Sequence, residues 1–171
     1  MENINSSTSA ELSTSDMIQS TMPRLKPGRD YIGISVAFWC TDGAGRFLFQ
    51  KRGEGVRDEP GKWDLGGGQL EFDENLQAGV LRELNEEYGC SGEIIAQLPA
   101  HDWIGGEGLS RRHWLIVPFI IKVDPSKIIV RETDKIAEVR WCAFNEAPSP
   151  LHSGTCASLE LCKSHLEQHL R

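Results

Sequence analysis

Stretches of strand character, interrupted by one central helix and closed by a terminal one, predict an α/β (α+β) layered domain. Two observations carry the expectation. Runs rich in β-branched and aromatic residues are bounded by turn formers, and an apolar period of helical spacing occupies residues 76–88. At 171 residues the chain suffices for one domain with a real core and is short for two.

Residues 1–27 are rich in Ser and Thr, contain two prolines and show little apolar periodicity before Met17-Ile18. They read as a disordered or loosely packed tail ahead of a single domain over 28–171. Tyr31–Cys40 is a strand by its β-branched and aromatic content. Asp42-Gly43-Ala44-Gly45 is a turn, and Arg46–Lys51 a second strand, so the pair looks like a hairpin. Residues 53–62 are a polar, Gly-rich loop. Trp63-Asp64-Leu65 then leads into Gly66–Gly68, where the backbone must turn sharply or approach something closely. A helix fits 76–88, with Asn75 as N-cap and Gly89 as its stop. Further strands are expected at Gly92–Leu98, His113–Val123 and Glu138–Ala143, and a closing helix from about Ala157 to Leu170.

Several function classes are disfavoured. No run approaches the roughly 18 apolar residues of a membrane span. The N-terminus lacks the basic start and apolar stretch of a signal peptide, which makes the cytoplasm the expected compartment. Cys40, Cys90, Cys142, Cys156 and Cys162 form no CxxC pair and no zinc spacing, and read as reduced thiols. The net charge of −7 argues against a nucleic-acid partner, which needs a basic footprint that Lys51-Arg52 and Arg111-Arg112 do not supply. Polyphosphate binding remains open to an acidic chain, but only locally, through arginines and metal ions.

The helix carries the chemistry. At about 100° per residue, Val80, Leu81, Leu84 and Tyr88 share a stripe that should face the core. Glu83, Glu86 and Glu87 project together over the adjoining arc. Carboxylates at this spacing repel one another, and the helix dipole disfavours negative charge in the last turns. One reading is a solvated acidic face. The other is a site where a hard divalent cation offsets the repulsion. The flanks decide between them.

From Gly68 the chain reads GQLEFDENLQAGVLRELNEEYGC. Gly68, five residues, Glu74, seven residues, Arg82-Glu83-Leu84, one residue, Glu86-Glu87, one residue and Gly89-Cys90 together resemble the Nudix (MutT-like) signature at every fixed position. Leu84 and Cys90 fill its apolar slots. The wider resemblance, with a preceding hairpin, Trp63 before the glycines and Trp141 near the end, spans about 31–146.

That resemblance implies a Nudix-type α/β/α sandwich with a mixed central sheet, one catalytic helix (about 76–88) and a C-terminal helix. It also implies a hydrolase dependent on Mg²⁺, or on Mn²⁺ in its place. The substrate would be a small nucleotide-type phosphoanhydride (nucleoside triphosphate, nucleotide sugar or dinucleotide), cut by water attack at phosphorus. Glu83, Glu86 and Glu87 match the family's metal-ligand carboxylates. Arg82 matches the residue that orients the neighbouring carboxylate. Gly68 and Glu74 open the loop–helix element, Gly67 and Gly68 fall where backbone should meet substrate, and Gly89 closes the helix. Where the family usually has Pro-Gly-Gly, Gly66 replaces the proline, which loosens the unfolded loop. The general base is one of the box glutamates or an acid from Arg131–Trp141, which offers Glu132, Asp134 and Glu138; Glu132 ranks first.

Arg52 resembles the arginine that relatives turn toward substrate phosphates, its plainer alternative being a solvated strand-end charge. Arg57, Arg111 and Arg112 read more simply as exposed. Trp103 is the candidate to stack on a substrate ring, whereas Trp63 and Trp141 are expected in the core. His101, His113 and His152 have no ligand spacing and read as surface or structural. A catalytically silent, nucleotide-binding regulatory module is the competing reading, and the intact carboxylate set argues against it. An isomerase acting on isoprenoid diphosphates would want a catalytic Cys–Glu pair, and neither Cys40 nor Cys90 sits in a familiar context. Compact loops lean toward nucleoside triphosphates, and homodimerisation is common among relatives.

Overall fold

The computed structural model describes residues 24–169. Along the chain run β1 (Gly33–Thr41), β2 (Arg46–Arg52), β3 (Trp63–Asp64), β4 (Gly66–Gln69), α1 (Leu76–Tyr88) and β5 (Glu93–Gln97). Then follow β6 (His101–Gly105), β7 (Arg112–Lys122), β8 (Ile136–Ala143) and α2 (Ser153–Gln168). Most of the expected 1–27 tail lies outside the described residues.

β1 sits at the heart of the sheet. It runs parallel to β7 from Gly33↔Trp114 to Thr41↔Lys122 and antiparallel to β4. β2 pairs antiparallel with β3 and β8, and β7 with β5 and β6. The strand period of two sorts side chains to the two faces. Val36, Phe38 and Cys40 of β1 join Val117, Phe119 and Ile121 of β7 against Val80, Leu84 and Tyr88 of α1. On the other face Trp39, Phe47, Phe49 and Ile120 pack against Cys162 and Leu166 of α2. A mixed sheet between two helices is the sandwich expected. Each fully buried aliphatic or aromatic side chain contributes about 1.5–3 kcal/mol to holding these layers together.

Helix α1 has the expected bounds, and for the expected reasons. The Asn75 side chain accepts from Ala78 N–H at 2.9 Å, and Gly89 closes the helix in the left-handed region at φ 60°. The expected β1–β2 hairpin is present and short: its register pair is Thr41↔Phe47, and β2 pairs along its length with β8. Two expectations need correcting. Between the strands expected at Gly92–Leu98 and His113–Val123, where no element was expected, lies β6, whose weak alternation is overridden by pairing with β7. Helix α2 begins four residues early, at Ser153, because His152 caps it through Nδ1, which accepts from Gly154 N–H at 3.1 Å. All five cysteines are free thiols. Among the described residues, no helix is long and apolar enough to cross a membrane.

Candidate active site

The glycine strand β4 lies against the last two turns of α1, and its lack of side chains is a packing requirement. A Cβ at Gly68 would sit 2.3 Å from the Glu83 carboxylate, and one at Gly67 (φ 147°) would sit 2.3 Å from Val36 O. One at Gly66 would meet the Phe38 ring at 2.1 Å and Glu87 Oε2 at 2.5 Å. Gly66 is therefore demanded by close approach, a reason that unfolded-loop flexibility did not capture.

Arg82 organises the cluster. Its guanidinium grips Glu74 with two bonds of 2.9 Å, and Nη1 donates to Glu83 at 2.8 Å and to Glu86 at 3.1 Å. Nη2 also donates to Gln69 O at 3.1 Å, tying α1 to the end of β4. Charge-assisted bonds to Arg82 draw the Glu74 pKa below its ordinary value. The three box glutamates differ in environment. Glu86 is exposed and Glu83 half-buried, while Glu87 is buried at 5% exposure. Burial raises the Glu83 pKa despite Arg82, and raises that of Glu87 well above the usual Glu range, with Glu83, Glu132 and Asp64 adding like charge. Among the described residues the only hydrogen bonds to the Glu87 carboxylate come from Gly67 N–H, at 3.3 and 3.4 Å, and no Lys or Arg forms an ion pair with it.

Glu132 reaches this cluster through backbone bonding. The segment after η-turn 125–127 satisfies the C-terminal carbonyls of α1: Ile129 N–H donates to Tyr88 O at 2.9 Å and Arg131 N–H to Glu87 O at 2.8 Å. The next residue therefore lines the same cleft, where its carboxylate accepts from Lys135 Nζ at 2.7 Å. Of the other acids in that stretch, Glu138 pairs with Arg140 at 2.6 Å on β8, and neither it nor Asp134 lines the cleft.

Arg52 is also brought to the cleft, by a bulge in the β2–β8 pairing between Lys51 and Arg52. Its guanidinium is occupied: Nη1 donates to Asp64 at 2.6 Å, Nε to Asp58 O at 3.0 Å, and Nη2 to the Asp58 carboxylate. Asp64 also accepts from the Thr155 hydroxyl of α2 and from Leu65 N–H.

The acidic cleft, about 550 Å³, holds Glu83, Glu86, Glu87 and Glu132 with Arg52 and Lys135 at its wall. A second cavity of about 680 Å³ opens on the opposite face of the sheet and shares Arg52, Asp64 and the β4 backbone with the first. Its floor follows from register. Trp103 of β6 and Trp114 of β7 are cross-strand partners, so their side chains leave the same face of the sheet, and both line the cavity. His152 stacks on Trp103 with centroids 5.7 Å apart and planes tilted by 33°.

His152 is the residue that sequence reasoning undervalued. It is buried, and Asp58 and Asp64 stand near it, at 3.9 and 3.8 Å. Burial opposes its protonation, but the carboxylates of Asp58, Asp64 and Glu59 outweigh burial and raise its pKa. Asp58, Glu59 and Asp64 were missed too, since no spacing links them to residue 152 before the chain folds. Trp63 is in the core as expected, with Trp141 packed at its margin, and His113 is tied to Asp102 at 3.1 Å. Arg57 and Arg112 line the second cavity, which their reading as plain surface charges did not anticipate.

The donor set fits a hard divalent cation by its chemistry. It is made of carboxylate oxygens, one of them buried without a cationic partner. The fit is one of donor type: among the described residues no three carboxylate, imidazole or thiol side chains are already gathered into a ligand cage.

The structure thus holds a glycine-walled carboxylate cleft on one helix, backed by a mixed sheet. Comparison with known proteins gives the class. The NUDIX domain family matches residues 32–158, and the chain belongs to that family as a Nudix hydrolase. An RNA pyrophosphohydrolase of Acidiphilium cryptum (strain JF-5) is 26% identical over 120 residues, 62% of this chain and 72% of the relative. The MutT NUDIX hydrolase of Burkholderia pseudomallei superposes with a TM-score of 0.66 at 26% identity, covering 75% of this chain and 96% of that one. A NUDIX hydrolase from Nitrosomonas europaea shares the fold, with a TM-score of 0.61 at 19% identity over 78% of this chain and 90% of that one.

Proposed function

We propose that the protein hydrolyses a phosphoanhydride bond in a nucleoside diphosphate linked to another group. Glu83, Glu86 and Glu87 would hold Mg²⁺, with Mn²⁺ able to replace it. The observation that carries this reading is Glu87: a buried carboxylate facing other carboxylates is costly unless a cation joins them. A bound divalent cation supplies polarisation of the phosphate oxygens and a lowered pKa for water.

The chain's own residues supply the rest. Arg82 holds Glu83 and Glu86 in register with the β4 wall. Glu132, anchored by the Arg131 N–H bond, is the first candidate to take the proton from the attacking water. The Gly67 and Gly68 backbone leaves room for the diphosphate, and Arg52 stands at the junction of the two cavities, held there by Asp58 and Asp64, which it would have to release to bond a phosphate. Trp103 offers an aromatic wall for the base beyond β4. The relative from Acidiphilium cryptum is named for pyrophosphate removal from RNA, which makes 5′-triphosphorylated oligoribonucleotides worth including among the substrates.

A screen of nucleoside triphosphates, nucleotide sugars, dinucleotides and such oligoribonucleotides with Mg²⁺ tests the reading, with released phosphate and pyrophosphate distinguished. Hydrolysis that EDTA abolishes and Glu86→Gln or Glu87→Gln removes is the expected result. If no member is cleaved with Mg²⁺ or Mn²⁺, the protein is a binding module instead.

A further inference from the structure

Outside the acidic cleft, a connected set of polar contacts runs from the 53–62 loop through the start of α2 to the aromatic cavity. Glu59 stands at its root. Its backbone is in the left-handed region at φ 45°, unusual for a residue with a Cβ, so its contacts must hold it there. The carboxylate accepts three bonds: from Lys62 Nζ at 2.8 Å, from Ser153 N–H at 3.0 Å and from the Ser153 hydroxyl at 2.6 Å. Because that hydroxyl gives its proton to Glu59, its lone pairs are left to accept, and Trp103 Nε1–H donates to it at 3.0 Å. The indole is thus gripped at its edge by Ser153 and on its face by His152. Gly105 leaves it no slack, since a Cβ there would lie 2.4 Å from the ring.

We propose that Glu59 is a positioning residue for substrate recognition. Acting through the Ser153 hydroxyl, it fixes the Trp103 indole as the wall on which the heteroaromatic part of the substrate rests. This rests on the reading of the cavity as the base-holding half of the site. Glu59 lines the aromatic cavity and not the acidic cleft, so its influence falls on affinity for the ring and not on affinity for the diphosphate. Burial works against ionisation of Glu59, but the bonds from Lys62 and Ser153 outweigh it and draw the pKa down to about 2. The carboxylate therefore stays an acceptor throughout the working pH range, and the direction of the Ser153 hydroxyl stays set.

Two ligands separate the ring from the diphosphate. Binding of ADP, GDP, CDP and UDP, and of inorganic diphosphate, is measured by calorimetry with Ca²⁺ replacing Mg²⁺, on the wild type, Ser153→Ala, Ser153→Thr and Glu59→Ala. Loss of one well-made hydrogen bond corresponds to roughly a fivefold to tenfold weakening. Ser153→Ala and Glu59→Ala should weaken the preferred nucleoside diphosphate by about that factor while leaving inorganic diphosphate within about twofold. Ser153→Thr, which keeps the hydroxyl, should bind like the wild type. Equal weakening of both ligands overturns the proposal, as does unchanged nucleotide binding in Ser153→Ala. So does a wild type that prefers no nucleoside diphosphate over inorganic diphosphate. Selective nucleotide binding without hydrolysis of any phosphoanhydride sinks the proposed function and leaves this inference standing.

Discussion

Glutamine at position 87 should cost the protein its activity and make the metal-free fold more stable. Glu87 is 5% exposed, and among the described residues its carboxylate receives only the two long contacts from Gly67 N–H. Glu83, Glu132 and Asp64 add repulsion to the burial that already raises its pKa. An underpaired buried polar group costs about 1–3 kcal/mol, and the amide of Gln keeps the shape and an acceptor for Gly67 while shedding the charge. At about 2–4 °C per kcal/mol for a chain of this size, the Glu87→Gln melting midpoint in EDTA should rise by several degrees. The sign with pH follows from the raised pKa. The wild type without metal should lose stability as pH rises above the ordinary Glu range, where the unfolded chain ionises freely, and the variant should lack that slope. Added Mg²⁺ should then raise the wild-type midpoint more than the variant's, because a ligand stabilises only the state that binds it. Turnover should fall at least about 100-fold. A variant that melts below the wild type in EDTA, or that keeps turnover within about threefold, refutes the reasoning.

Three further outcomes follow from the same geometry. Gly66→Ala places a methyl against Phe38 and Glu87 and should cost about 1–3 kcal/mol, read as a lowered denaturation midpoint. Arg82→Lys keeps the charge but loses the two-pronged grip on Glu74 and the bridge to Glu83 and Glu86; a loss of about 1–2 kcal/mol in urea and a fall in turnover exceeding about tenfold are expected. Glu59 has its pKa depressed to about 2, so its contribution is present above the unfolded value of 4.5 and disappears as pH falls toward 2. Discounted for its partial exposure, that contribution is about 1 kcal/mol, and acid titrations of Glu59→Gln should show a correspondingly shallower loss.

Helix α1 was legible before folding because its signals are local, whereas the mixed sandwich was implied by the resemblance to the Nudix family. Asn75, the 3.6-residue stripe and Gly89 act within four residues of where they stand, and the bounds of α1 follow from them. The box residues Arg82, Glu83, Glu86 and Glu87 were legible for the same reason. Strand β6 was not, since its identity depends on β7 offering an edge to pair with. The Asp64–Arg52–Asp58 clamp and the Glu59–Ser153–Trp103 chain join residues up to 94 apart in sequence, and nothing near any of them announces the partner. Gly66 shows a subtler limit. The position invited a conformational account, whereas the occupant of the neighbouring space, Phe38, is what excludes a side chain.

The bare backbone of β4 has a consequence for how such an enzyme diversifies. The acidic cleft and the aromatic cavity adjoin along that strand, both being lined by Gly67, Gly68 and Gln69. On the proposed reading, the cutting machinery and the substrate-holding wall stand on either side of that shared strand, so exchanges at Trp103, at Trp114 or at the start of α2 would alter what is held and leave the carboxylates of α1 untouched.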